Sequence, residues 1–155
     1  MKLLLSVLLL VLIAFIAYLF WQGYQSKSGQ ALGLSAEGQL HRCGDKPNCV
    51  CSEFAEDSSH FIAPLPLAGL AETEALSLMK TRVIEAGGVV VSETPDYLAA
   101  TFTSALFGFV DDVEFRVDSV QGLIQMRSAS RVGYSDLDAN RKRVTALVAR
   151  YKASD

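Results

Sequence analysis

A chain of 155 residues has room for one domain of ordinary size. Its formal net charge of −3 excludes the uncompensated basic excess that a nucleic-acid surface needs. Half of the residues are apolar, and they are spread unevenly along the chain.

Residues 3–21, LLLSVLLLVLIAFIAYLFW, run for nineteen positions without a charge. As a helix they reach about 28 Å, enough for a bilayer core of about 30 Å. Tyr18, Trp21 and Tyr24 gather at the far end, where amphipathic rings favour the headgroup zone. A cleaved signal peptide has a shorter apolar run and a small-x-small site, whereas this run is long and ends in large aromatics. Residues 1–23 are therefore expected to be a transmembrane anchor. Residues 24–39, YQSKSGQALGLSAEGQ, are rich in Gly, Ser and Gln, lack apolar periodicity and read as a flexible tether. The folded domain then occupies 40–155. Lys2 against Lys27 is a weak charge bias for orientation. Cys43, Cys49 and Cys51 cluster just past the anchor, which suits an oxidising compartment. The expected location is the inner membrane, single-pass, with the domain in the periplasm.

Within the domain, Leu76, Met79, Val83 and Ala86 recur at helical spacing, and Gly87-Gly88 stops the helix predicted over 71–86. Strands follow at 89–92, 97–103, 110–118 and 123–131. A last helix is predicted to open at Ser135, with Asp136 and Asp138 in its first turn and Arg150 and Lys152 in its last. Its apolar stripe is Leu137, Val144, Leu147, Val148 and Tyr151. Short links between strands imply an antiparallel sheet of four, with both helices on one face: a two-layer α+β domain.

The last two strands align if a tight turn at Val120-Gln121 pairs residues whose numbers sum to 241. Val113, Phe115, Val117, Ile124, Met126 and Ser128 then share one face. On the other, Glu114 faces Arg127, and Asp112 lies diagonal to Arg127 and Arg131. A slip of one residue would bury every charge in the apolar layer. Residues 37–115 carry thirteen acids and four bases, and 116–152 eight bases and three acids, so the basic half folds back on an acidic one. Arg127 and Arg131 are accordingly expected to be held by Asp112 and Glu114. The alternative is a bound anion or lipid headgroup on Arg131, Arg141 or both. Asn140 falls on the apolar stripe, and a buried amide without partners costs roughly 1–3 kcal/mol. Ser128 and Ser130 are its candidate partners, in a polar clasp between helix and sheet or in a ligand pocket.

The connection SALFGFV (104–110) is unusually apolar for a loop, through Leu106, Phe107 and Phe109. It either folds over the core or touches the bilayer or a membrane partner. Cys43-x5-Cys49-x-Cys51, with His41 and His60 nearby, matches no strong zinc pattern. A Cys43–Cys49 bridge around Pro47-Asn48 is favoured over metal binding or thiol exchange, although so short a loop adds little closure entropy. No Ser, His and acid stand in a nucleophile arrangement, and no metal or other cofactor is expected.

KPNCVCS (46–52), DDVEFRVD (111–118) and RSASRVGYSDLDANRKR (127–143) together resemble the family called domain of unknown function 1499, over about residues 40–150. The resemblance implies a bacterial envelope protein, and no reaction or catalytic residue comes with it. It also implies that Cys51, where serine is frequent in the family, is the unpaired thiol. The function expected is a non-catalytic accessory or interaction module at the membrane surface. It would meet a membrane-protein partner or lipid through Leu106, Phe107, Phe109 and the Arg131/Arg141 region. Whether the domain is an enzyme stays open. The two alternatives are an enzyme or small anionic-ligand binder using Asn140, Ser128, Ser130 and Arg131, and a thiol or metal protein using Cys43, Cys49 and Cys51.

Overall fold

The computed structural model describes residues 1–153. Its elements, in chain order, are α1 (Lys2–Ser26), β1 (Cys49–Cys51), β2 (Leu65–Pro66), α2 (Glu72–Glu85), β3 (Val89–Glu93), β4 (Tyr97–Thr103), β5 (Val110–Asp118), β6 (Leu123–Ser130) and α3 (Ala139–Lys152). The strands form one antiparallel sheet in the order β1-β6-β5-β4-β3, and β2 also pairs with β6.

The sheet therefore has six strands, not the four predicted. The two additional strands are three and two residues long, too short to display a period of two. They exist because β6 has a free edge, which CVC fills opposite Arg127–Ala129 and Leu65-Pro66 fills opposite Leu123-Ile124. The central hairpin has the register read from the charges: Asp111 faces Ser130, Glu114 faces Arg127 and Val117 faces Ile124.

Val113, Phe115, Val117, Ile124 and Met126 form the sheet side of the main core, with Leu98 and Ala100 from β4. Helix α2 lays Ala75, Leu76, Met79 and Val83 onto it, and α3 adds Val144, Leu147 and Tyr151. Both helices cover this one face. Gly87 takes φ +87°, the left-handed conformation that ends α2, and its N–H donates to the Ile84 carbonyl.

Helix α3 begins later than predicted. Ser135 does not cap it; the Asp136 carboxylate does, accepting the Asn140 backbone N–H at 2.7 Å. Leu137 and Asp138 stand between them in left-handed conformations, at φ 54° and 64°. That detour takes Leu137 off the apolar stripe and leaves it 83% exposed.

The second face of the sheet carries the charges and a smaller apolar cluster of Leu40, Cys43, Cys49, Cys51, Tyr97, Ala99 and Ala129. Residues 27–43 run over it. Ala31 and Leu34 pack on the cluster, Leu34 bridges Leu40, and the Gly33 N–H donates to Glu114 Oε1 at 2.9 Å. Cys43 and Cys49 are joined by a disulfide, which fastens this strap to β1. Cys51 is buried and unbridged.

Candidate functional site at the junction of helix and sheet

The last turn of α1 is built into the domain. A Cβ on Gly23 would lie 1.8 Å from the Phe107 carbonyl oxygen, so only glycine admits this approach. Ser26 is 1% exposed; its hydroxyl donates to the Gly23 carbonyl at 2.6 Å and accepts the Val110 N–H at 3.0 Å. Phe20 meets Phe107 edge-on at 5.2 Å between ring centroids, and Phe107 meets Phe109 at 5.9 Å. The 104–109 connection thus lies along the aromatic end of the apolar helix, with Leu106 exposed.

Arg131 belongs to this joint. Its Nε and Nη2 grip both oxygens of Asp112 at 2.8 and 2.7 Å, and its Nη1 donates to the Ser26 carbonyl at 3.1 Å. That carbonyl is one of the acceptors a helix C-terminus leaves without an intrahelical partner, and a cation there complements the dipole. The Asp112 bonds hold the Arg131 guanidinium more firmly protonated than usual, against a smaller opposing effect of burial.

Two residues along the strand from Asp112, Glu114 is fully buried and fully engaged. Oε2 accepts from Arg127 Nη1 at 2.8 Å, and Oε1 accepts the Tyr97 hydroxyl at 2.7 Å as well as the Gly33 N–H. Burial, and next the charge of Glu114, push the Tyr97 phenol well above its ordinary range. Arg116 pairs with Glu53 at 2.7 Å and Asp118 at 3.1 Å, and the Glu53 carboxylate also accepts the Leu40 N–H.

On the helix side, Asn140 is 1% exposed and every polar atom of its side chain is engaged. Its amide nitrogen donates towards the Asn48 carbonyl, Ser130 Oγ and Asp136 Oδ2 at 2.8–3.0 Å. Its carbonyl accepts from Ser128 at 2.5 Å and from Arg143 at 2.6 Å. Arg143 continues to Asp111 at 2.6 Å and stacks over Phe102. Arg141 lies apart from this network and donates to the carbonyls of Phe61 and Ser59, tying the 52–61 loop to α3.

Of the residues selected from sequence, Asn140, Ser128 and Ser130 stand together, Arg131 joins Asp112 at the helix end, and Leu106, Phe107 and Phe109 flank α1. Arg141 is with neither group. His60 is also apart from the site: it bonds Asp57 and the Lys46 carbonyl. Among the described residues no cluster of three or more His, Cys, Asp or Glu has metal-holding geometry. Cys51 has its thiol pushed up by burial, away from the reactive thiolate.

Sequence reasoning missed Gly23, Ser26, Arg143, Asp111 and Asp136. Asp136 had a legible signal, since it stands at capping distance before Asn140. Gly23 had only its position at the end of an apolar run.

Two concavities flank the joint. A groove of about 670 Å³ lies over the charged face between the strap and β3–β5, lined by Lys27, Gln30, Tyr97, Thr101 and Arg131 among others. A cavity of about 600 Å³ separates α1 from the domain, with Phe15, Tyr18, Leu19 and Gln22 on one side and the start of β5 and the segment between β6 and α3 on the other. It opens beside the Asn140 network, because Ser130, Asp111 and Asp136 all line it.

Neither the curated proteins nor the solved structures include a match to this chain. A family model described as protein of unknown function, DUF1499, matches residues 39–150, a stretch that takes in every element after α1 up to the last turn of α3. The chain belongs to the DUF1499 family.

Proposed function

We propose that this chain is a single-pass, membrane-anchored domain that works by binding, holding an apolar-edged surface at a fixed attitude on the bilayer for a membrane-protein partner or lipid. The observation that carries the reading is the joint itself: Gly23, Ser26 and Phe107 make the end of α1 part of the domain's packing. A leader destined for removal has no need of a buried serine and a glycine fitted to the folded domain. Helix α1 is long and apolar enough to cross a membrane, and none of its most apolar window is buried. An apolar surface of that extent needs cover, and a bilayer supplies it. Leu106 and Tyr134 lie on the segments that face it and are exposed.

The inner membrane with a periplasmic domain fits the Cys43–Cys49 bridge, since disulfides persist in oxidising compartments. The non-catalytic part rests on saturation. Asn140, Ser128, Ser130, Arg131 and Arg141 spend their hydrogen-bonding capacity on one another, on Asp112, Asp136 and Arg143, and on backbone carbonyls.

The test is site-specific photocrosslinking from Leu106 in native membranes. Crosslinks to lipid or to a membrane protein are expected. They should be lost in Phe107→Asp while the disulfide and far-ultraviolet dichroism persist. A Leu106 probe that yields neither lipid nor protein adducts refutes the reading.

A further inference from the structure

We infer that the cavity between α1 and the domain is a binding site for a zwitterionic phospholipid, with the lipid's ammonium group at Asp136 and an acyl chain along Phe15 and Leu19. This rests on the anchored reading above and names the ligand of that junction. At about 600 Å³ the cavity is within the roughly 300–1,000 Å³ of small-ligand sites. One wall is the apolar helix itself. From Phe15 to Gln22 it extends about 10 Å, at roughly 1.5 Å per residue. That is the distance from headgroup level into the upper acyl chains, so the cavity is continuous with the bilayer and its natural occupant is a lipid.

Charge selects which lipid. The described lining residues include two carboxylates, Asp111 and Asp136, and no Lys, Arg or His. Asp111 is answered by Arg143 at 2.6 Å. Among the described residues, the hydrogen bonds to Asp136 come from amide donors, Asp138 at 3.1 Å and the backbone and side chain of Asn140 at 2.7 and 2.8 Å. A carboxylate at a membrane-facing wall with neutral partners repels an anionic headgroup and attracts an ammonium. Tyr134, 70% exposed at the same rim, offers an aromatic face to the same cation.

The experiment places a benzophenone side chain at Val132, inside the cavity, in the full-length protein. The protein is reconstituted into nanodiscs holding phosphatidylethanolamine and phosphatidylglycerol at equal mole fraction, and adducts are weighed by mass spectrometry. Phosphatidylethanolamine adducts should exceed phosphatidylglycerol adducts on the order of fivefold, as one partly desolvated charge pair gives. Asp136→Asn keeps an acceptor for Asn140 and removes the charge, so the preference should fall to parity while labelling continues. Ala139→Phe fills the cavity and should suppress lipid adducts of either kind. Equal labelling of the two lipids by the unsubstituted protein, or no lipid adduct at Val132, overturns the site. If the Leu106 probe still labels lipid or protein in that case, the anchored reading survives; if both probes are silent, both fall.

Discussion

Glu114 and Arg127 show how one pair of residues decides the behaviour of a sheet face. A carboxylate with no exposure is tolerated because a guanidinium, a phenol and a backbone amide all point at it. Deleting one partner strands the other, at a cost of about 3–5 kcal/mol for a buried ion pair. Glu114→Ala should lower the urea unfolding free energy by that amount, and adding Arg127→Met should recover part of it. If the double variant is as unstable as the sum of the singles, the pair is not coupled.

Tyr97 makes a pH prediction at the same site. Its folded pKa is raised by burial and then by Glu114, above the unfolded value of about 10. Below pH 10 the phenol is protonated whether folded or not, and its contribution is intact. As pH rises past 10 the unfolded chain releases the proton while the folded chain keeps it, so stability falls. The alkaline loss of unfolding free energy should be shallower in Tyr97→Phe than in the unsubstituted protein; identical slopes would mean that Tyr97 ionises freely. Cys51 gives a simpler readout. Burial raises its thiol, so the native protein should resist maleimide at neutral pH and take up one equivalent on unfolding.

At the scale of elements, the connection between α1 and the domain departs most from what composition suggests. Gly, Ser and Gln read as a tether because they carry little to bury. Glycine also turns the backbone where other residues resist: Gly33 takes φ +76°, a left-handed conformation, and presents its N–H to Glu114. Gly23→Leu should separate α1 from the 104–109 loop, seen as faster hydrogen exchange at the Val110 amide, which Ser26 now holds. An unchanged rate would show that the helix end tolerates a side chain, although a Cβ on Gly23 would lie 1.8 Å from the Phe107 carbonyl oxygen. Helix α3 carries a related lesson. Both Ser135 and Asp136 are good capping residues, and sequence cannot rank them. The choice of Asp136 is made by Asn140, whose side chain needs that carboxylate while it satisfies Asn48 and Ser130.

For the molecule as a whole, the apolar run of α1, the antiparallel hairpin and its register were determined by sequence alone. Local periodicity specifies helices and long strands, and charge alternation leaves one register that keeps Glu114, Arg116 and Arg127 out of the apolar layer. Only the tertiary structure decided the rest. Strands of two and three residues have no period and form because β6 offers a free edge. Whether Arg131 greets a ligand or the end of α1 depends on a contact between residues 105 positions apart. The cavity beside Asp136 has walls from both ends of the chain. Periodicity is a property of neighbours along the chain, whereas a joint or a cavity is made by residues that meet only after folding.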